Sequence, residues 1–180
     1  YDEYEFEIMK EDVQMYRELG ADGIVTGILL PDGRLDSVRM GELIREAGNA
    51  DVALHRAFDV CSDPYETLEG AIDLGIRTIL TSGQKNSAWE GRELLRELVR
   101  RSDGRIEILV GAGVSPETIE KLVPFTGAQA YHMSGKVTLE SRMQFRRDGV
   151  SMGVPGFSEY EIWQTDADNI RRAVDVLEQF

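Results

Sequence analysis

The chain of 180 residues carries 33 acidic and 20 basic side chains, a formal net charge of −13 at neutral pH, with 42% hydrophobic and 29% charged residues. That length supports one domain with a real core and the composition is ordinary for a globular protein, while so acidic a balance argues against nucleic acid or an anionic membrane as partner. No apolar run approaches the ~20 residues of a membrane helix, the start Tyr-Asp-Glu-Tyr-Glu-Phe-Glu is no signal peptide, and one cysteine, Cys61, fits a reducing compartment with no internal disulfide.

The first predicted element is a helix over 4–19, with Phe6, Met9, Val13 and Tyr16 on one face and Gly20 placed to end it. An apolar strand over 24–30 follows, interrupted by Gly27, then a Pro31-Asp32-Gly33 turn. Asp36 caps a second helix with a Met40, Leu43, Ile44 and Ala47 stripe and Gly48 after it. Residues 52–54 form a short strand that runs into His55, Arg56 and Asp59. Asp63-Pro64-Tyr65-Glu66 opens a helix to about 74, closed by Gly75. A strand over 78–81 ends in Ser82-Gly83-Gln84, and the Ser87/Glu90 pair reads as a capping box before a helix with Leu94, Leu95, Leu98 and Val99 inward. A strand over 106–110 enters Gly111-Ala112-Gly113-Val114. Ser115-Pro116-Glu117 then starts a helix with Ile119, Leu122 and Val123 inward. A short strand over 130–133 runs into Ser134-Gly135-Lys136. The stretch 137–164, with glycines and few periodic apolar residues, reads as an extended loop. Ile170, Ala173, Val174 and Leu177 mark a last helix over 166–180.

Strand starts at 24, 52, 78, 106 and 130 give a βα rhythm, the mark of a parallel sheet covered by helices in one domain spanning 1–180. A five-stranded doubly wound sheet fits this length. A (β/α)8 barrel typically takes ~250 residues, so three βα units would be absent. The opening helix and the polar or glycine-rich segments at 55, 82, 111 and 134 favour the barrel, which brings all strand ends to one mouth. The expected architecture is therefore a (β/α)8 barrel lacking its first three βα units in this chain.

The candidate ligand site is the pair Gly111-Ala112-Gly113-Val114 and Ser134-Gly135-Lys136. Glycines let backbone N–H groups approach an anion, and a helix start after Ser115 points its positive end the same way. Ser82 and Gly83 can add a hydroxyl and N–H donors. The alternative is that these glycines only make tight turns. His55 is a candidate general base, metal ligand or donor to substrate, or else a strand-end histidine satisfied by a neighbouring carbonyl. Arg56 can clamp a carboxylate or phosphate through two parallel hydrogen bonds, or pair with Asp59. Asp59 is a second candidate base. Lys136 can neutralise a bound anion or simply be solvated. Only one of Tyr131 and His132 can face inward, by strand alternation. Cys61 is a soft thiolate candidate for Cu(I), with Met133 and Met152 as thioethers, against the commoner fate of a packed thiol. No zinc spacing, phosphate-binding Walker loop, GxSxG elbow or dinucleotide fingerprint is present.

Leu54-His55-Arg56-Ala57-Phe58-Asp59, Ile79-Leu80-Thr81-Ser82-Gly83-Gln84, Gly111-Ala112-Gly113-Val114 and Tyr131-His132-Met133-Ser134-Gly135 together resemble the strand ends of the CutC copper homeostasis family. Ala21-Asp22-Gly23-Ile24-Val25 and Thr165-Asp166 fit the same pattern, in order and spacing, over essentially the whole chain. The resemblance implies a cytoplasmic TIM barrel, self-associating as a homo-oligomer and acting in copper homeostasis. It also implies that cysteines proposed to hold copper in some members lie in a region this chain lacks, so no copper site is carried over from the family and Cys61 stands as a metal candidate on its own chemistry alone. Two functions are carried forward: a CutC-like protein of copper homeostasis that binds Cu(I), and a barrel enzyme acting on a small phosphorylated or carboxylated metabolite.

Overall fold

Five short strands, β1 (Gly23–Thr26), β2 (Asp51–Leu54), β3 (Thr78–Thr81), β4 (Glu107–Val110) and β5 (Ala130–Tyr131), pair in parallel in the order in which they occur along the chain. This is a computed structural model that describes residues 1–147, 149–150, 152–153 and 158–180. Among the described residues the six helices are α1 (Glu3–Glu18), α2 (Ser37–Ala47), α3 (Pro64–Asp73), α4 (Arg92–Ser102), α5 (Pro116–Thr126) and α6 (Ala167–Leu177), with a 3-10 helix at Arg56–Val60. Neighbouring helices pack on one another: α1 on α2, α3 on α4, α4 on α5 and α5 on α6. A doubly wound sheet reverses its strand order at a switch point. Here the order never reverses, and because all four pairings are parallel the strands send their C-terminal ends to the same rim.

Side-chain alternation divides the sheet into two faces. Val52, Leu54, Ile79, Ile108 and Val110 are buried in one core with Leu43, Leu68, Leu95, Leu98 and Leu122 of the helices. The opposite face carries the half-buried Ala53, Leu80 and Leu109, and Val25, which is 66% exposed.

The helix starts follow their caps. The Asp36 carboxylate accepts from the Arg39 N–H at 3.0 Å, Asp63 accepts from Tyr65 and Glu66, and Asp166 accepts from Asp168 and Asn169. Each satisfies donors that the first helical turn leaves unpaired. Helix α5 opens with a reciprocal pair in which Thr118 N–H donates to Ser115 Oγ and Ser115 N–H donates to Thr118 Oγ1. Helix α4 departs from expectation. The Glu90 N–H does donate to Ser87 Oγ, but this closes a turn ahead of the helix, which begins after Gly91 with no side-chain cap.

Two boundaries also differ. Strand β1 ends at Thr26 rather than near 30, and residue 29 joins residue 35 in an isolated antiparallel bridge. The expected loop over 137–164 contains an antiparallel ribbon, β6 (Lys136–Glu140) with β7 (Glu161–Thr165). Residues 148, 151 and 154–157 of that stretch lie outside the described residues.

Candidate functional site

The rim at the strand C-termini holds two distinct arrangements: a sealed polar network behind β2 and β3, and an open cleft beside β4 and β5.

The network begins where β2 runs into the 3-10 helix. The His55 N–H donates to the Thr26 carbonyl at 3.0 Å, and His55 Nδ1 accepts from the Ala57 N–H at 3.1 Å. That bond places the imidazole proton on Nε2 when the ring is neutral. A Cβ at Gly27 would sit 2.7 Å from His55 Nδ1, so glycine there leaves room for the ring. Next, the 3-10 helix turns Asp59 back toward β3, where its side chain is only 6% exposed. One carboxylate oxygen accepts from Thr81 Oγ1 at 2.5 Å, Ser82 N–H at 3.0 Å and Gln84 N–H at 3.1 Å. The other accepts from Arg56 Nε at 2.6 Å and lies 3.0 Å from Ser82 Oγ. Burial alone raises the Asp59 pKa. The hydrogen bonds from Thr81, Arg56, Gln84 and Ser82 outweigh it and hold the carboxyl below the ordinary carboxylate range. Asp59 is therefore ionised with its lone pairs engaged, an arrangement that fixes loops rather than one open to a substrate proton.

Ser82 and Gly83 sit in this network rather than on the wall of the cleft. Ser82 is fully buried, its hydroxyl 2.5 Å from the Lys85 carbonyl and accepting from Arg56 Nη2 at 3.0 Å. Gly83 has φ of +73°, and a Cβ there would strike the Gly91 backbone; a Cβ on Gly91 would strike the Ser82 carbonyl in turn. Two glycines thus let the strand-end loop and the start of α4 touch backbone to backbone. This contact also explains why α4 starts late.

Cys61 lies at the far end of the same network. Its thiol is buried and lies 3.4 Å from Gln84 Nε2, which also donates to the Cys61 carbonyl at 3.0 Å. Burial, the largest influence, pushes the thiol pKa up, away from the thiolate that a metal needs. Among the described residues no group of three or more His, Cys, Asp or Glu gathers as a metal site. A Cu(I) site wants several soft sulfur donors, and the surroundings of Cys61 do not fit one.

The cleft has a volume of about 790 Å³. Its wall includes Arg56, Gly113, Ser134, Gly135 and Lys136, all expected at the ligand site. His55, Asp59, Cys61, Ser82, Gly83 and Gly111 do not line it. Gly111 is buried, and a Cβ there would approach Leu80 to 2.6 Å, so it serves packing. Ala112 and Gly113 both take positive φ, +74° and +68°, turning the β4 loop sharply before α5. Gly135, at φ +58°, packs under Ile170 of α6, where a Cβ would come within 2.5 Å.

Of the β5 pair, Tyr131 packs toward the helices and His132 faces the cleft. The remaining wall comes from α5 and α6. Arg172 Nη2 bridges Glu117 Oε1 at 2.8 Å, and Asn169 Nδ2 donates to the Gly135 carbonyl at 3.4 Å. Its own backbone N–H, then the Ser115 hydroxyl and then Arg172 lower the Glu117 pKa. Lys136 stacks its ammonium 3.4 Å from the centre of the Trp163 ring. The wall therefore carries three fixed cations, Arg56, Lys136 and Arg172, against one carboxylate, Glu117. Asn169, Arg172 and Glu117 were not singled out from sequence. The available signal was the i, i+3 spacing of Asn169 and Arg172 in the first turns of α6, which puts both on one face.

Comparison with known proteins gives one family over most of the chain. The CutC family model matches residues 1–137. A CutC family protein of Histophilus somni is 40% identical over 170 residues, covering 94% of this chain and 70% of that protein. A CutC family protein of Bacteroides fragilis is 41% identical over 179 residues, covering 99% and 70%. The crystal structure of a CutC protein from Streptococcus agalactiae, which carries a provisional copper-homeostasis name, superposes with a TM-score of 0.70 at 32% identity, over 73% of this chain and 65% of that one. The chain spans about 70% of the length of these curated relatives and just under two thirds of the solved one.

Proposed function

The chain belongs to the CutC family, and we propose that it serves copper homeostasis by binding a small phosphorylated or carboxylated molecule in the cleft beside β4 and β5. The observation that carries this reading is the charge of the wall. In a chain of net charge −13, three cations and one carboxylate meet around an open cavity. A low-dielectric cleft lined by one sign of charge concentrates the opposite sign.

We read the sheet as an arc of a (β/α)8 barrel. Sequential strand order, one layer of helices and a second face that is not packed like the first all support this. Ligands of such barrels sit at the C-terminal ends of the strands, and phosphates sit near the last two. On this reading Arg56 faces the anion from β2, Lys136 and Arg172 face it from the opposite wall, and the turn at Ala112 and Gly113 brings backbone N–H groups close.

Copper enters as the setting of the family rather than as an ion held by Cys61, whose buried thiol lies against Gln84 with no group of three or more His, Cys, Asp or Glu gathered as a metal site among the described residues. Catalysis is the second form of the proposal. His132 supports it as a histidine on the cleft wall, a side chain type that commonly serves as general acid or base.

The test is a calorimetric titration with inorganic phosphate and a panel of small phosphorylated and carboxylated metabolites. Lys136→Ala and Gly113→Asp should each weaken the binding by about tenfold or more. Aspartate tolerates the left-handed conformation of residue 113 while adding a repelling carboxylate. Binding indifferent to both substitutions would remove the reading.

A further inference from the structure

Arg56 joins the sealed network to the cleft, and the way it is held decides what it presents. Its Nε–H donates to Asp59 at 2.6 Å and its Nη2 donates to Ser82 Oγ at 3.0 Å. Nε–H and one N–H of Nη2 form one side of the planar guanidinium. That side is spent on the network. The far edge, a parallel pair of N–H groups on Nη1 and Nη2, is turned away from Asp59. Among the described residues no acceptor meets that edge, and Arg56 lies on the cleft wall with its side chain 45% exposed. Two parallel N–H groups match two oxygens of one carboxylate or phosphate. Asp59 is itself fixed by Thr81, Ser82 and Gln84. The network that holds the loops therefore also aims this edge.

The opposite wall is cationic too, through Lys136 and Arg172. Arg172 is paired with Glu117 at 2.8 Å, as Arg56 is with Asp59, while Lys136 lies over the Trp163 ring. Each arginine is thus partly offset by its own carboxylate, so one anionic group at one wall gains modestly. The two walls also stand apart. Ser82, which holds Arg56, follows β3; Lys136 follows β5; and β4 lies between. Two steps between strands span about 10 Å. Hydrogen bonds of about 3 Å at each end leave roughly 4 Å between the groups they hold.

We propose that the ligand of the cleft is a two-ended dianion: one carboxylate or phosphate gripped by the outer edge of Arg56, a second held by Lys136 and Arg172, and a short spacer between them. Asp59 and Ser82 are positioning residues for the first grip. This rests on the reading of the cleft as an anion site, and it narrows the ligand from any small anion to one with two anionic ends. Binding at one end raises the effective concentration of the other end at its own wall, so two modest contacts make one firm complex.

The test is calorimetric titration of the full-length protein with inorganic phosphate, with malonate, succinate, glutarate and adipate, and with phosphoglycolate and 3-phosphonopropionate. The best two-ended probe should bind about a hundredfold more tightly than phosphate. Arg56→Ala and Lys136→Ala should each weaken that probe about tenfold or more. Arg56→Lys, which keeps the charge beside Asp59 and loses the paired edge, should do the same should alanine disturb the fold. Asp59→Asn, measured where circular dichroism shows it folded, should weaken the probe about fivefold and add nothing once Arg56 is alanine. A purely structural Asp59 would weaken binding equally in both backgrounds, and that result would overturn its positioning role. Two-ended probes that all bind no more tightly than phosphate would overturn the dianion while leaving the cleft an anion site. Binding by none of these anions would remove the anion site as well.

Discussion

Replacing Asp59 with asparagine is the sharpest probe of the strand-end network. The amide keeps the geometry and one acceptor oxygen. That oxygen can still accept from Thr81 Oγ1 and from the Ser82 and Gln84 N–H groups. The amide NH2 then stands where the other oxygen accepted from Arg56 Nε at 2.6 Å, donor against donor. A hydrogen bond to a charged group contributes about 1.5–3 kcal/mol, and the remaining bonds weaken once the acceptor is neutral. Arg56 is 45% exposed, so water solvates its guanidinium and limits the damage. The expected loss is about 2–4 kcal/mol of unfolding free energy, read from urea denaturation. The sign with pH follows from the same bonds. Asp59 has a folded pKa below its unfolded value, so it stabilises the fold above about pH 4. That contribution disappears as the pH falls through the folded value. The variant's deficit should therefore be full at neutral pH and shrink in acid. A loss below about 0.5 kcal/mol, or a deficit that does not change with pH, would refute the network's structural role.

Gly91→Ala would set a Cβ against the buried Ser82 carbonyl, and the backbone must move to admit it. The expected cost is about 1–3 kcal/mol in thermal or denaturant unfolding, and a neutral result would contradict the close approach. Cys61 should react slowly with a thiol-specific disulfide reagent at neutral pH. Its rate should climb only at more alkaline pH than for an ordinary thiol, because burial raises its pKa; fast reaction at neutral pH would show an open thiol. Gly135→Ala should loosen α6, where Ile170 fills the space a Cβ needs, and should weaken ligand binding through displacement of Lys136. Unchanged binding with a destabilised fold would limit Gly135 to packing.

Much of this was legible before any coordinates. Asp36, Asp63, Ser115 and Asp166 announce their helices because short polar side chains satisfy the first-turn donors locally. The βα rhythm and the polar strand ends follow from strands buried on one face and loops gathered on one rim. The β6–β7 ribbon was not legible because its alternation is short, largely exposed on both faces, and its two strands are separated by twenty residues of sequence. Neither was the division of the candidate residues into two groups. His55, Arg56 and Asp59 are neighbours in sequence, yet the 3-10 helix turns Asp59 into a buried network and leaves Arg56 touching both the network and the cleft. Nor does sequence reveal that Gly83 and Gly91 meet, since that contact joins a loop to a helix start. The partners of Arg56 on the cleft come from α5 and α6, well over fifty residues away, where only the folded chain brings charge together.

The account rests most on the cleft, and one measurement addresses it directly: calorimetric binding of inorganic phosphate and small phosphorylated or carboxylated metabolites to the wild type and to Gly113→Asp. Saturable binding that the aspartate weakens about tenfold or more is the predicted result. Binding of none of these anions, or binding equal in the two proteins, would contradict the assignment of the cleft.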